Sequence, residues 1–403
     1  MKRLTSLLLL LVPASLLLAQ EQVRVWKEGD SKRFTTSEIL FSEDGTVLSV
    51  GDSTYNYAEV DSITVVHTVT VTFSDDTASV DLGHAKDVTY EVDGAHVNII
   101  STNTKSELEF VLQGASSQGS LTYDGPLKCK FYLNGLNLTS DSGAAIDIQC
   151  GKRVDLILVD GTENVLVDAA GGTQKAALYC KGHLEVSGSG SLTVTGNTKH
   201  AIATKEYLEL KKSTGTITIN KAVSDAMHIG QYFQMNGGTL NISGQAGDGI
   251  QVEILTLDDD VTPNPDKENN GMMFIKGGSI TITAACDDTK GIKAPSDMTV
   301  TGGTFNITAS GAGSRGIQVT GNLTINENDN TTMMLIRAMG DIYEDPITED
   351  DVRCMGIRIK GNFYISAGTV RVSNTGSGAY GIKIDGTYTK TGTAVVSASI
   401  KTS

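Results

Sequence analysis

Aromatic residues, prolines and cysteines are all scarce in this sequence. Only 5% of the 403 residues are aromatic and six are prolines, against 44 glycines. This composition favours many tight turns and thin packed layers over a large helical protein. The five cysteines are an odd number and form no Cys-x-x-Cys pair, so neither a zinc knuckle nor a disulfide framework is predicted. Most should be small buried side chains, although one disulfide would be compatible with an exported protein.

Basic residues are also in deficit. The chain has 32 lysines and arginines against 47 acidic residues, which gives a formal net charge of −15. This balance argues against non-specific binding to nucleic acid. An acidic protein that binds an acidic polymer therefore needs a local basic patch or a bridging cation.

Long apolar runs are absent after residue 19, where no stretch offers the roughly 20 apolar residues of a membrane-spanning helix. No membrane insertion is therefore expected. Residues 1–19 are typical of a signal peptide, because Lys2 and Arg3 precede the apolar stretch 7–18 and Ala19 offers a cleavage point. We expect an exported, soluble monomer, located in the periplasm, at the cell surface or outside the cell.

A short phrase recurs through the second half of the chain. It consists of a small residue and an aliphatic, such as Ala201-Ile202, followed by a glycine pair, a hydroxyl residue and alternating aliphatics, as in GGTLNI at 237–242. Like positions lie 23 to 25 residues apart, for example His200, Asp225 and Asp248. Two acidic insertions, near residues 257–270 and 341–354, lengthen single repeats and should lie on the outside. A fixed period of this length indicates a solenoid.

Within each repeat, polar and apolar residues alternate along short segments that are rich in β-branched residues, as in TITI at 216–219. This pattern predicts strands and excludes helical periodicity. Several such strands per repeat can stack on the next repeat only in parallel. We therefore predict an all-β protein: a single-stranded right-handed parallel β-helix over residues 67–403, after a short β-rich leader over residues 20–66. Successive coils should lie about 4.8 Å apart, so like positions form surface columns that would carry any binding site.

One column is the residue before each small-aliphatic pair. Its members are His200, Asp225, Asp248, Lys290 and Arg315. Two carboxylates one coil apart lie at the span that calcium bridges, since its oxygen ligands lie at about 2.3–2.6 Å. The further oxygen donors available nearby are Asp287, Asp288 and Glu253. The alternative is that these acids cap turns or are solvated turn residues. For the column acids Asp225 and Asp248, turn capping and calcium binding are compatible.

The column changes sign at Lys290 and Arg315, with Lys293 close by. A calcium ion beside a cationic patch would suit a uronate or another acidic sugar. The alternative is that these charges form salt bridges with neighbouring side chains.

Two tyrosines, Tyr207 and Tyr232, occupy like positions in successive repeats, each directly before a residue expected to point inward. Outward rings in register would stack and could form a platform for the apolar face of a pyranose, or could serve packing alone. His200 and His228 lie nearby on the turn, either as sugar contacts or as surface and packing residues.

Several phrases occur in a characteristic order: LNLTS at 136–140, GSGSLTVTG at 188–196, KHAI at 199–202, SDAMH at 224–228, YFQMNGGTL at 232–240 and DGI at 248–250. On these phrases, residues 67–395 resemble the calcium-containing parallel β-helix carbohydrate-binding domains of exported bacterial proteins, a family similar in architecture to pectate lyases. The resemblance implies non-catalytic binding of a cellulose-like or acidic, polygalacturonate-like polysaccharide, and Asp225 and Asp248 match aspartates usual in that family. The sequence departs at Ala226-Met227, where glycine-isoleucine is usual, and at Lys290 and Arg315.

Three functional classes follow. A binding module predicts exposed columns, bound calcium and no turnover. A calcium-dependent polysaccharide lyase needs a base that removes the proton next to a uronate carboxylate, for which Lys290 and Arg315 are the candidates. A structural or adhesive surface protein needs only the rigid repeat. No Ser/His/Asp or Cys/His catalytic arrangement is indicated.

Overall fold

A computed structural model describes residues 22–28, 30–35, 39–326, 332–347 and 351–402 of the chain. The predicted signal peptide, residues 1–19, lies outside the described residues. The chain divides into two units. The first comprises the described residues up to Val69 together with 81–85, and the second comprises 70–80 and the chain from Lys86 onward.

The first unit contains short antiparallel strands. Strand Gln22–Lys27 pairs with Asp30–Thr35 on one side and with the beginning of Ser62–Ser74 on the other. A second sheet consists of Ile39–Phe41, Val47–Val50 and Ser53–Asn56, followed by the 3-10 turn Tyr57–Glu59. One cluster of buried side chains in this unit consists of Val23, Val25, Phe34, Leu48 and Val50.

The second unit consists of three ladders of strands, which we name A, B and C. After the strand Thr77–Asp81, ladder A begins with an antiparallel pair, Val88–Asp93 and His96–Ser101. It continues in parallel through Ser120–Asp124, Ile146–Ile148, Ala176–Cys180, His200–Thr204, Met227–Ile229, Ile250–Val252, Lys290–Ala294, Arg315–Val319, Met355–Ile359, Tyr380–Ile384 and Ile400–Thr402.

Ladders B and C share the long paired strands Leu108–Ser116 and Cys129–Thr139. The first half of Cys129–Thr139 pairs with ladder B and the second half with ladder C. Ladder B continues through Val154–Leu158, Leu184–Ser187, Leu208–Leu210, Phe233–Met235, Met273–Ile275, Met298–Val300, Leu323–Ile325, Phe363–Ile365 and Tyr388–Lys390. Ladder C continues through Glu163–Val167, Ser191–Gly196, Thr216–Ala222, Thr239–Ile242, Ser279–Ala284, Thr304–Ala309, Met333–Ala338, Thr369–Asn374 and Val395–Ser397.

Alternation of apolar and polar residues explains these short strands. In ladder A, for example, Met227 and Ile229 are buried while His228 between them is partly exposed. Inward side chains stand in register from repeat to repeat, as Met227 does with Ile250. Burying each such side chain stabilises the fold by about 1.5–3 kcal/mol. The predicted all-β class and the parallel pairing of successive repeats are confirmed.

Close packing between repeats explains the small residue in the recurring phrase. A Cβ atom added to Gly291 would lie 2.6 Å from the carbonyl oxygen of Gly316, and one added to Gly316 would lie 2.6 Å from that of Gly356. A larger residue at either position would push neighbouring strands apart, so the phrase requires glycine here.

Strands also account for almost all the regular structure elsewhere. Within the described ranges the only helical element is Tyr57–Glu59, and no helix there is long and apolar enough to span a membrane. The insertion near residue 341 contains the hairpin Tyr343–Glu344 with Asp351–Val352. All five cysteines are free, four of them buried and Cys286 exposed.

Candidate functional site

The column predicted from the sequence is formed by residues that contact one another in order. Asp225 Oδ1 accepts a hydrogen bond from the backbone N–H of Asp248 at 2.8 Å, and Asp248 Oδ1 accepts one from the backbone N–H of Lys290 at 2.8 Å. Each carboxylate thus joins its own repeat to the next. This is the capping role proposed as one alternative for these acids, and it leaves one oxygen of each carboxylate for another partner.

The second oxygen of Asp225 faces two histidines. Asp225 Oδ2 lies 2.9 Å from Nδ1 of His228 and 3.4 Å from Nδ1 of His200. The two imidazole rings stack with centroids 4.2 Å apart and planes 21° apart. On its far side, His228 Nε2 lies 3.2 Å from Oε2 of Glu253. Two imidazoles and a carboxylate therefore meet at the beginning of adjacent ladder A strands.

The two histidines differ in charge. Burial, together with the charge of His228, lowers the pKa of His200 to about 4. Burial opposes protonation of His228 as well, but hydrogen bonds to Asp225 and Glu253 raise its pKa to about 9. At neutral pH His228 is therefore charged and His200 neutral. His200 is only 1% exposed, and neither of its ring nitrogens makes a hydrogen bond.

The predicted basic patch is occupied by neighbouring side chains. Lys293 Nζ lies 3.3 Å from Asp248 Oδ2, and Lys290 Nζ lies 3.1 Å from Asp288 Oδ2. Arg315 Nη1 donates a hydrogen bond to Oε1 of Gln318. The two lysines thus form the salt bridges expected from the alternative interpretation, whereas Arg315 donates to an uncharged side chain.

The acids predicted to bind calcium are distributed over different contacts. Asp287 Oδ1 accepts a hydrogen bond from the backbone N–H of Ala312 at 2.8 Å, whereas Asp288 contacts Lys290 and Glu253 contacts His228. Among the residues that the structure describes, the one group of three or more potential ligands with atoms within 4.8 Å of one another is His200, Asp225 and His228. Two nitrogens and one carboxylate fit calcium poorly, because calcium prefers six to eight oxygens. Calcium binding stays a prediction.

Tyr207 and Tyr232 belong to a row of four rings beside ladder B, which we call the aromatic row: His183, Tyr207, Tyr232 and Phe274. The tyrosines stack with centroids 4.6 Å apart and planes 18° apart, and His183 stacks on Tyr207 at 4.3 Å. Phe274 meets Tyr232 edge-on at 6.3 Å. Both faces of Tyr207 are covered, so it presents its edge rather than a free face to a sugar.

His183 and Phe274 were not predicted from the sequence. His183 precedes Leu184 just as Tyr207 precedes Leu208, and these two leucines pair in register. Aligning one further repeat would therefore have found His183. Phe274 pairs instead with Gln234, two positions along the chain from the tyrosine column, so register alone does not place it against Tyr232.

Polar contacts connect the aromatic row to the outward face of ladder B. The Tyr207 hydroxyl donates a hydrogen bond to Glu185 Oε1 at 2.7 Å. Lys211 Nζ lies 2.8 Å from Glu185 and 3.0 Å from Glu209, and Asn236 Nδ2 donates to Glu209 at 2.7 Å. Neither the Glu185 partner of Tyr207 nor the residues connected through it was predicted from the sequence.

These contacts end at a shallow groove, which we call the ladder B groove. Its lining residues are Lys211, Lys212, Ser213, Asn236 and Lys276. Lys212 and Lys276 are exposed, and Lys276 Nζ donates a hydrogen bond to Gln234 Oε1 at 2.9 Å. The groove thus offers three ammonium groups, an amide and a hydroxyl.

Comparison with known proteins gives this surface a context. A carbohydrate-binding domain-containing protein of Acetivibrio thermocellus is 28% identical over 138 residues, which are 32% of this chain and 48% of that protein. The chain therefore matches about half the length of that relative. The solved structure described as the polysaccharide lyase-like protein from C. thermocellum, a gadolinium derivative, aligns with a TM-score of 0.53 and 23% identity. The alignment covers 66% of this chain and 100% of that one, and at this identity it shows a shared fold alone.

The family comparison covers most of the second unit. The model of the carbohydrate-binding domain-containing protein family matches residues 93–399. Because this match spans more than half of the chain, the protein belongs to the family of carbohydrate-binding domain-containing proteins.

Proposed function

We propose that the protein is an exported, non-catalytic module that binds an acidic, polygalacturonate-like polysaccharide through the ladder B groove. The observation that carries the proposal is the set of three lysines, Lys211, Lys212 and Lys276, lining one groove of a protein with net charge −15. Family membership supports a polysaccharide as the ligand. The local charge favours an acidic polysaccharide over a neutral one.

Two of these lysines are available to a ligand. Lys211 is already paired with Glu185 and Glu209. Within the described part of the chain, Lys212 and Lys276 form no ion pair with a carboxylate. Uronate carboxylates accept charge-assisted hydrogen bonds from ammonium groups, which are about twice as strong as neutral ones. Lys212 and Lys276 are therefore expected to contribute most of the selectivity.

We also infer that ladders A, B and C wind as a right-handed parallel β-helix. Each strand is joined to the next strand of its own ladder by a connection that passes through the other two ladders. Connections between parallel strands of one sheet are right-handed in about 98% of cases. Such winding would align the ladder B groove with the repeat direction, so that a linear polymer could contact several repeats.

Binding without turnover is favoured by the partners of the predicted catalytic bases. Lys290 contacts Asp288 and Arg315 donates to Gln318. A lyase base must be free to accept a proton from the substrate, whereas both of these side chains are already engaged as cations or donors. The proposal accordingly assigns them a structural role.

The test measures binding to immobilised polygalacturonate, fully methyl-esterified pectin and cellulose, each with and without chelator. We expect polygalacturonate to bind best. The double variant Lys212→Ala/Lys276→Ala should lose roughly tenfold or more in affinity, since hydrogen bonds to charged groups contribute about 1.5–3 kcal/mol. Lys360→Ala removes an exposed lysine after a ladder A strand and serves as the matched control, with unchanged affinity.

Three results would contradict the proposal. Equal affinity of the double variant and the parent protein would exclude the ladder B groove. Preference for cellulose would exclude an acidic ligand. A time-dependent rise in the absorbance of unsaturated uronate products would show a lyase instead. Loss of binding with chelator would support the calcium predicted from the sequence.

A further inference from the structure

His200 is a buried polar side chain without hydrogen-bond partners. It is 1% exposed, and both ring nitrogens are buried and make no hydrogen bond. Leaving a buried polar group unpaired costs about 1–3 kcal/mol, and such groups in folded proteins usually have a partner or a bound water or ion. The environment of His200 therefore indicates a missing ligand.

We propose that His200, Asp225 and His228 bind one divalent transition-metal ion of the zinc class. Their ligand atoms lie within 4.8 Å of one another. Imidazole and carboxylate are preferred ligands of zinc and related ions, and three protein ligands leave a fourth position for water or another group. The site is independent of the ladder B groove.

The distances from Asp225 to the two histidines are close to those in such a site. A tetrahedral metal with ligands at about 2.0–2.2 Å holds neighbouring ligand atoms about 3.3–3.6 Å apart. Asp225 Oδ2 lies 3.4 Å from His200 Nδ1 and 2.9 Å from His228 Nδ1. Because the two imidazole rings stack with planes 21° apart and a metal lies near the plane of each imidazole that binds it, one ring must also rotate out of the stack to admit the ion. His228 would release a proton on binding, because only neutral imidazole is a ligand.

The surroundings of the three residues also match a metal site. Metal-binding histidines usually donate their second N–H to a carboxylate or carbonyl, and ligating carboxylates are themselves hydrogen-bonded. Glu253 Oε2 lies 3.2 Å from Nε2 of His228, and the backbone N–H of Asp248 donates to Oδ1 of Asp225 at 2.8 Å. Glu253 therefore orients the ring of His228, and the Asp248 backbone orients the carboxylate of Asp225.

The experiment uses the full chain without a histidine tag, stripped with chelator and exchanged into metal-free buffer. Cobalt(II) is titrated with visible absorption as the readout, and zinc(II) with calorimetry. We expect one equivalent to bind and cobalt to give the intense absorption of a low-coordinate site. Asp225→Asn and His228→Gln should each weaken binding at least 100-fold, whereas Glu253→Gln should weaken it about 10- to 100-fold.

His96→Gln is the matched control. His96 also lies beside a carboxylate, with Nε2 3.1 Å from Asp141, but it lies outside the proposed site and its variant should bind metal like the parent. Circular dichroism identifies variants that fail to fold, and the exposed residue Glu253 provides a variant that should fold. Absence of zinc binding, equal binding in Glu253→Gln and the parent, or displacement of zinc by equimolar calcium would each overturn the proposal.

Discussion

Glu206 is held by a histidine and a lysine from different parts of the sequence. His183 Nε2 contacts Glu206 Oε2 from the preceding repeat. Lys267 Nζ lies 2.5 Å from Glu206 Oε1 and comes from the insertion that follows ladder A strand Ile250–Val252. The hydrogen bond from His183, with further help from Lys267 and against the effect of burial, lowers the pKa of Glu206 from 4.5 to about 2. The carboxylate thus connects the insertion to the aromatic row.

This shift gives a pH-dependent prediction. Because the pKa of Glu206 is lower in the folded state, the ionised carboxylate stabilises the fold above about pH 4.5, and this contribution is lost as pH falls toward about 2. The difference in free energy of unfolding between the parent and Glu206→Gln should therefore shrink across that interval. Urea unfolding at a series of pH values measures it.

Glu163→Gln provides the control for this experiment, because Glu163 is exposed at the start of a ladder C strand. The difference between that variant and the parent should change less over the same pH interval. Parallel stability profiles for the parent and Glu206→Gln would show that His183 and Lys267 do not stabilise the Glu206 carboxylate.

At the scale of elements, side chains at the turns before ladder B connect successive repeats. Asp297 Oδ1 accepts a hydrogen bond from the backbone N–H of Asn322 at 2.7 Å. Asn322 Oδ1 accepts from the backbone N–H of Asn362 at 2.9 Å, and Asn362 Oδ1 accepts from Thr387 at 2.8 Å. This row satisfies turn N–H groups that the strand ladders leave unpaired.

Asn322→Ala should therefore destabilise the second unit. The substitution leaves the backbone N–H of Asn362 without its acceptor, at a cost of roughly 1–3 kcal/mol. Asn326→Ala, at an exposed position after the same ladder B strand, should change stability by less than about 0.5 kcal/mol. Chemical denaturation of both variants measures the difference, and equal stabilities would show that the row of hydrogen bonds contributes nothing.

The strands were predictable because their determinants are local. The alternation in 216–219 and the glycine phrase recur at a fixed period, and parallel stacking follows from that period. The column from His200 to Arg315 and the stacking of Tyr207 on Tyr232 were also predicted by aligning like positions of successive repeats. This alignment follows from the repeat period and does not depend on contacts with distant segments.

The site partners were less predictable because they depend on contacts between separate segments. Lys267 reaches Glu206 across 61 residues from an insertion whose path has no sequence period. His228 contacts both Asp225 and Glu253. It lies outside the column from His200 to Arg315, so aligning the repeats does not show that it contacts Asp225. Lys290 and Lys293 have the same charge in sequence, yet different carboxylates engage them.

For the whole molecule, net charge opposes the proposed ligand. The chain carries −15, so a polyuronate should be repelled at long range even though the ladder B groove attracts it locally. Long-range and local terms respond differently to salt, because the Debye length falls from about 30 Å at 0.01 M to about 8 Å at 0.15 M. Repulsion across tens of ångströms is screened first, whereas contacts at hydrogen-bond distance persist for longer.

The association rate constant for polygalacturonate should therefore rise as salt increases over this range, since net repulsion slows the encounter at low salt. The dissociation rate constant should rise too, because screening weakens the contacts of Lys212 and Lys276 once the complex has formed. Biolayer interferometry resolves the two rates, with methyl-esterified pectin as a neutral control whose association should barely change. An association rate that falls with added salt would mean that the groove steers the polymer from a distance, so local charge rather than net charge would control the encounter.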